Sequence, residues 1–310
     1  MDFTKKFNVG LTLNTNIKEF EAFLKKYAKY IRSFYFSPPV NKYFHTRRTV
    51  ALNFALPHKR KLFWRMLTLI KECGVELELL LNTLVLNDDL IKRAADLLTQ
   101  RGVQVDSVCF LTKYYDSVVK YFPHAKYILS FNNGFRTEKD INDAVKNYNF
   151  DTIVLGSSFI RNDALFNSLN KRDKEVYLLL NNGCSFNCTT CNNVSTVCAD
   201  FFKKNLQKRS VEYLYALQSI FPQELDEGIV DYSNVTCFKI SNRGNGIKFL
   251  SEAMDSYITR EVARYVDKDK NSYAYWGRAG YFWKYFKKMD LHEIFRLKKE
   301  LGILKESKDE

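Results

Sequence analysis

The stretch Val75-Glu76-Leu77-Glu78-Leu79-Leu80-Leu81-Asn82, followed by Asp88 to Arg101, Gly102 and then Val105 to Leu111, decides the fold. The first run is short, apolar and closed by a turn residue, which reads as a buried strand. Asp88 to Arg101 carries its apolar residues at helical spacing, and Val105 to Leu111 reads as the next buried strand. Gly74 and Gly102 stand where a helix would stop and a strand begin, the place where a residue without Cβ takes up a left-handed backbone at little cost.

Working outward, the same strand-then-helix unit occurs eight times. Strands are predicted at Phe7 to Asn14, Ser33 to Ser37, Val75 to Asn82, Val105 to Leu111, Lys126 to Asn132, Thr152 to Ser157, Glu175 to Asn181 and Cys237 to Ser241. Amphipathic helices are predicted at Ile17 to Ile31, Lys59 to Cys73, Asp88 to Arg101, Glu138 to Asn147, Ser210 to Ile220 and Gly246 to Tyr265, with shorter fourth and sixth connections. Near-continuous apolar strands alternating with helices imply a parallel sheet covered on its outer face. Eight such units imply closure into a (β/α)8 TIM-like barrel. An open doubly wound sheet is the alternative, and it lacks a glycine-rich loop after the first strand, where Leu13-Asn14-Thr15-Asn16 stands.

Chemistry in such a barrel collects where strands end. Here the strand exits carry Asn14, Asn82 with Thr83, Asn132 with Asn133, Ser157 with Ser158, and Asn181 with Asn182. Asparagine at loop starts is also ordinary turn chemistry. Its recurrence predicts a polar, uncharged mouth, with Asn82 and Asn182 as candidate catalytic residues.

At the seventh strand's exit stands Cys184-Ser185-Phe186-Asn187-Cys188-Thr189-Thr190-Cys191, with Cys198 following. Four of the seven cysteines thus fall within fifteen residues. Three thiolates on one short loop can close around three corners of a 4Fe-4S cluster. Zinc is the competing metal, because Cys188 and Cys191 form a C-x2-C knuckle, although zinc sites more usually pair two separated knuckles. Cys198 is the natural fourth ligand, and Cys237 is the rival. Cys237 opens the eighth predicted strand, and four residues at about 3.3 Å each place it roughly 13 Å below the mouth. Cys73 and Cys109 are expected to be small buried residues. The chain shows no apolar leader, so a reducing cytoplasmic location is expected, where thiols ligate metals and do not crosslink.

The chain has 310 residues, 46% of them hydrophobic, and a formal net charge of +13. No run approaches the roughly 18 to 20 apolar residues of a membrane span. From Ala22 to Lys71 there are twelve Lys or Arg and no Asp or Glu, including Arg47, Arg48, Lys59, Arg60 and Lys61. Such a run favours an anionic partner. RNA is the obvious one, because Tyr27, Tyr30, Phe34, Tyr35, Phe36, Tyr43, Phe44 and Trp64 are interleaved where bases could stack. Solvated helix faces are the plainer alternative. The four histidines form no cluster, and neither a hydrolytic triad nor a carboxylate pair stands out.

The runs Thr152 to Arg161, Tyr177 to Cys184 (Tyr-Leu-Leu-Leu-Asn-Asn-Gly-Cys) and Cys237-Phe238-Lys239-Ile240-Ser241-Asn242-Arg243 resemble the collagenase-like peptidase family. In that family an Ile-Val-Leu strand, a Leu-Asn-x-Gly-Cys strand and a closing Lys-Ile-x-Gly-Arg strand follow one another. The resemblance implies a barrel and a cluster-bearing enzyme, several members being similar to oxygen-independent hydroxylases of ubiquinone precursors, tRNA or ribosomal RNA. It also implies that Cys184 and Cys188 are cluster ligands, that Lys239 and Arg243 are positive groups at the eighth strand's exit, and that an electron donor is needed. Arg243 would grip a carboxylate or phosphate bidentately, and Lys239 would act as a point charge. The chain departs from the family by having Asn242 in place of glycine and a compact cysteine spacing.

That compact C-x3-C-x2-C spacing also resembles the radical S-adenosylmethionine enzymes, where one iron is left open for the cofactor. Those enzymes carry the motif after the first strand, whereas here 119 residues follow Cys191. A noncatalytic, metal-stabilised RNA-binding protein is a third reading. Two parts are expected: residues 1–265 as the barrel with its cysteine loop at 184–198, and residues 266–310 as an aromatic-rich helical extension packed on it, with a helix at Leu291 to Leu301.

Overall fold

A computed structural model describes residues 2–40, 56–83, 85–135, 137–156, 159–180, 219–240, 246–260 and 291–304. Eight parallel strands close in sequence order into a barrel, as the alternating pattern predicts. The strands and their following helices are β1 (Phe7–Gly10), α1 (Ile17–Tyr27), β2 (Ile31–Phe36), α2 (Pro57–Glu72), β3 (Glu76–Leu81), α3 (Asp88–Gln100), β4 (Ser107–Phe110) and α4 (Tyr115–Tyr121). They continue with β5 (Lys126–Leu129), α5 (Glu138–Asn147), β6 (Thr152–Leu155), α6 (Asp163–Asn170), β7 (Glu175–Leu179), α7 (Glu224–Glu227), β8 (Cys237–Ile240), α8 (Gly246–Thr259) and α9 (Leu291–Glu300). No helix among the described residues is long and apolar enough to cross a membrane.

Strand alternation sorts side chains into two cores. Residues such as Phe7, Val9, Phe34, Phe36, Leu77, Leu79, Val108, Phe110, Ile153, Leu178, Phe238 and Ile240 face outward into the layer of helices. The inward set comprises Tyr35, Leu80, Cys109, Ile128, Val154, Tyr177, Leu179 and Cys237. At the N-terminal end Arg32 closes the barrel by donating to both oxygens of Glu175 at 2.7 and 2.8 Å.

Helix boundaries follow local chemistry. Asn16 caps α1 by accepting from the Glu19 amide at 3.0 Å while its own amide donates back to the Glu19 carboxylate at 3.1 Å, a capping box. Gly74 and Gly102 end α2 and α3 at φ +66° and +64°. In each case the following residue donates back into the last turn, Val75 to the Ile70 carbonyl and Val103 to the Leu98 carbonyl, both at 3.1 Å or less. A Cβ at Gly102 would meet nothing within 4 Å, so only backbone strain opposes a side chain there. Gly102→Ala should therefore lower stability by about 1 to 2 kcal/mol, read as a lower urea midpoint, with Gly102→Asn losing less. An unchanged midpoint for both would mean the left-handed cap is not required.

Several predicted elements are too long. β1 stops at Gly10, because its ladder with β2 and β8 runs only to Gly10 opposite Tyr35 and Val9 opposite Ile240; Asn14 therefore lies in the loop beyond. α1 stops at Tyr27, since Ile31 must already pair with Phe7. α8 stops at Thr259, before Arg260 with its left-handed backbone. Ser219 and Ile220 are not helical, Ile220 instead donating to the Leu180 carbonyl at 2.8 Å; residues 210–218 and 261–265 lie outside the described set. Cys73 is exposed, not buried, because it follows the last turn of α2 on the solvent side. Cys109 is buried as expected.

Candidate functional site

The centre of the barrel is charged. Three inward positions near the middle of β1, β3 and β8 hold Asn8, Glu78 and Lys239, whose exposures are 0%, 0% and 6%. Lys239 Nζ donates to Glu78 Oε1 and to Asn8 Oδ1, each at 2.6 Å. Asn8 Nδ2 donates to Glu78 Oε2 at 2.8 Å and to Ser33 Oγ at 2.5 Å. The ammonium also lies 4.0 Å from the centre of the Tyr35 ring, whose hydroxyl donates to the Ile240 carbonyl at 2.8 Å. Burial pushes the Lys239 ammonium pKa down, the Glu78 carboxylate beside it pushes it up, and the net direction is up.

This corrects the expected role of Lys239. Its side chain is not an open cation at the exit of β8, because side chains alternate along the strand and Lys239 shares the inward face with Cys237. Glu78 neutralises it, so it does not capture an anion as a point charge. Cys237, the rival fourth ligand, is fully buried opposite Tyr177 inside the barrel, where burial raises its thiol pKa. Cys109 behaves similarly, its thiol pushed up to about 12 by burial and by Glu78.

Above this network the mouth carries amides and hydroxyls. Asn82, at the exit of β3, donates to Ser130 Oγ at 3.3 Å, and its carbonyl accepts from Asn132 Nδ2 at 3.2 Å. Asn133 accepts from the Thr112 amide at 2.9 Å and hydroxyl at 3.0 Å, and donates to the Ser130 carbonyl at 2.7 Å. The exits of β3, β4 and β5 are thereby joined into one uncharged patch. Asn82 is thus placed at the mouth as expected. Asn132 and Asn133 serve partly as loop braces.

Among the described residues, several cations of the basic segment have protein partners. Lys26 pairs with Asp255 at 2.8 Å, Arg65 with Glu72 at 3.6 Å and Lys71 with Asp106 at 2.9 Å. Lys59 Nζ donates to the Leu13 carbonyl at 2.5 Å, so it secures the first loop. Arg60 and Lys61 are exposed on the first turn of α2. The proposed stacking rings do not survive as a set: Tyr27, Phe34, Tyr35 and Phe36 are buried, because an interleaved aromatic pattern in a strand serves the two faces of the barrel wall. Trp64 packs against Phe63 and beneath Arg101.

Cys184, Cys188, Cys191, Cys198, Asn182, Arg243, Arg47 and Arg48, with Tyr43 and Phe44, lie outside the described residues. The approach to the cysteines is described. Leu180, the residue after β7, donates to the Lys239 carbonyl at 3.1 Å and accepts from the Ile220 amide at 2.8 Å. The end of β7 therefore lies beside the backbone of the residue that anchors the buried network.

Sequence reading missed Asn8, Ser33, Glu78 and Ser130. A usable sign was present in Glu76-Leu77-Glu78-Leu79, which sets carboxylates at every second place of an otherwise apolar strand and so aims them at one face.

No protein-family description and no curated protein matches the chain. Among solved structures it is similar to one described as the U32 peptidase Mk0906, at 11% identity and a TM-score of 0.47, covering 78% of this chain and 94% of that one. It is also similar to QR15, an aldolase, at 12% identity and a TM-score of 0.43, covering 84% of this chain and 100% of that one. A third is a tryptophan synthase complex from Pyrococcus furiosus, at 13% identity and a TM-score of 0.40, covering 58% of this chain and 79% of that one.

Proposed function

We propose that the chain is an iron-sulfur-dependent modifying enzyme, related to the collagenase-like peptidases but not proteolytic, acting on an anionic substrate such as RNA. Cys184, Cys188 and Cys191, with Cys198 as fourth ligand, would hold a 4Fe-4S cluster. The supporting observation is the tether of Leu180 to the Lys239 carbonyl, which starts the cysteine-bearing segment at the rim of the closed barrel. The donor set fits such a group: four thiols follow that tether within eighteen residues, while the two cysteines inside the barrel are buried and held protonated.

A cluster there would supply single electrons or an open iron, drawing on a separate electron donor. The chain's own residues would do the rest. Asn82, Asn132 and Ser130 offer a patch of hydrogen-bonding groups without charge, suited to orienting a polar group such as a base edge. Arg243 and Asn182, following β8 and β7, would add an anion contact and a further amide. Lys239 would keep its proton at Nζ, shared with Glu78, and would hold Asn8 and Glu78 rigid beneath the substrate. Arg47, Arg48, Arg60 and Lys61 would recruit the anionic substrate, with the stacking rings reduced to those not used by the core.

Anaerobic purification with iron, sulfide and zinc analysis tests this reading. About four irons and four sulfides per chain are expected, with a visible band that Cys184→Ala abolishes while the melting temperature of the barrel changes little. A response of the spectrum to S-adenosylmethionine would transfer the chain to the radical enzymes. Stoichiometric zinc without iron would overturn the proposal in favour of a metal-stabilised binding protein.

A further inference from the structure

A second buried charge cluster lies beside the rim and is independent of the cysteines. Glu224, in α7, is 1% exposed and Lys298, in α9, is 0% exposed. Glu224 Oε2 accepts from Arg161 Nε at 3.0 Å and Nη2 at 2.8 Å. Glu224 Oε1 accepts from the Phe221 amide at 2.9 Å and from Lys298 Nζ. Lys298 Nζ and Arg161 Nη2 both donate to the Ser219 carbonyl, at 2.8 and 3.0 Å, and the Lys298 ammonium lies 4.5 Å from the centre of the Phe221 ring. Tyr232 and Asp163 flank the cluster electrostatically. On α9 itself Arg296 pairs with Glu300 on the exposed side, beside exposed Lys299.

Two cations therefore share one buried carboxylate. The excess positive charge is costly there, and only one of the two can shed it, because a guanidinium does not release its proton in this pH range. The other contacts that seat α9 and the residues after it do not need that charge: the Phe295 ring meets Phe221 edge-on at 5.6 Å, and the backbone at Leu304 pairs with Gly228 in an antiparallel bridge.

We propose that Lys298 makes the C-terminal helix a pH-responsive clasp on the rim segment 219–228, seated most firmly when its amine is neutral. This segment continues directly from Ile220, which holds the end of β7 through Leu180, so the clasp bears on the place where the chain leaves the barrel.

Burial, reinforced by Arg161 and opposed by Glu224, brings the Lys298 amine down to about 7. A released helix carries an ordinary lysine, near about 10.4. Between those two values the released helix holds a proton that the seated helix lacks. Seating therefore strengthens as pH rises from about 7, by up to ~10-fold per unit. It weakens as pH falls toward 7, and below 7 it responds no further.

Hydrogen exchange with mass spectrometry on the whole chain tests this, using peptides from 291–304 with protection corrected for the chemical exchange rate. Protection there should rise by roughly 20-fold from pH 7.5 to 9, while peptides from β3 and β4 stay constant. Lys298→Met should show high, pH-independent protection, and Lys298→Arg should be poorly protected throughout. A flat wild-type profile would overturn the clasp, as would Lys298→Met being less protected than wild type at every pH. The wild-type profile decides the matter even if a variant fails to fold, and iron or zinc content has no bearing on it.

Discussion

Lys239→Met is expected to lose about 3 to 5 kcal/mol of stability, and adding Glu78→Leu is expected to return most of it. The single change strips a fully buried carboxylate of its cation: Glu78 has a side-chain exposure of 0% and its partner 7%. Removing both charges eliminates the desolvation cost together with the attraction, and the surrounding Leu80, Tyr35 and Tyr177 accept an apolar pair. Recovery should stop about 1 to 2 kcal/mol short, because Asn8 loses bonds to both partners and keeps only Ser33. Urea unfolding of the two singles and the double gives the coupling directly. Additive losses would mean that the pair does not act as one unit. If the double variant folds well yet no longer performs the reaction proposed above, the network serves chemistry and not the fold.

The fold was legible because its determinants are local and periodic. A run such as Val75 to Asn82 followed by a capped helix and Gly102 specifies a strand, a helix and a stop without reference to anything distant, and eight repeats close only one way. Strand ends were overrun because a strand stops where its neighbours do, as Gly10 shows against Tyr35 and Ile240; that limit belongs to the pair and not to the run. The interior network was illegible for the same reason. Asn8, Glu78 and Lys239 are separated by 70 and 161 residues and meet only when the barrel closes. Lys239 was singled out, but with its side chain assigned to the exit. Parity within Cys237-Phe238-Lys239-Ile240 would have placed it inside once Phe238 and Ile240 were recognised as facing the helices. The aromatic and basic segment misled in the opposite direction: Phe34-Tyr35-Phe36 looks like a stacking surface when read as a composition and becomes barrel wall when read as a strand.

Glu224→Gln should be as damaging as the loss of Lys239, and for a related reason with an added asymmetry. The substitution leaves two buried cations facing one neutral amide and the Ser219 carbonyl. Lys298 can escape by giving up its proton, which burial already favours, whereas Arg161 has no such exit. A loss of about 3 to 5 kcal/mol is expected, nearly the same at pH 7 and pH 9, because without Glu224 to hold its proton the Lys298 amine is already discharged at pH 7 and Arg161 is the charge left stranded. The seated wild type keeps Glu224 ionised: burial pushes its carboxyl up, but Arg161 and the Phe221 amide, joined by Lys298 while that amine is charged, outweigh burial and hold it below the ordinary range. That part of its stability is present above the usual carboxylate range and is lost only in acid, so it does not confound the comparison between pH 7 and 9. Adding Lys298→Met to Glu224→Gln should therefore change the loss little at either pH. Urea midpoints for the two variants at both values provide the test. A loss below about 1 kcal/mol would mean that water solvates the cluster, in which case α9 is held by Phe295, Ile303 and Leu304 alone. A loss that shrinks by about 1 kcal/mol or more between pH 7 and 9 would mean that Lys298 keeps its proton at pH 7 even without Glu224.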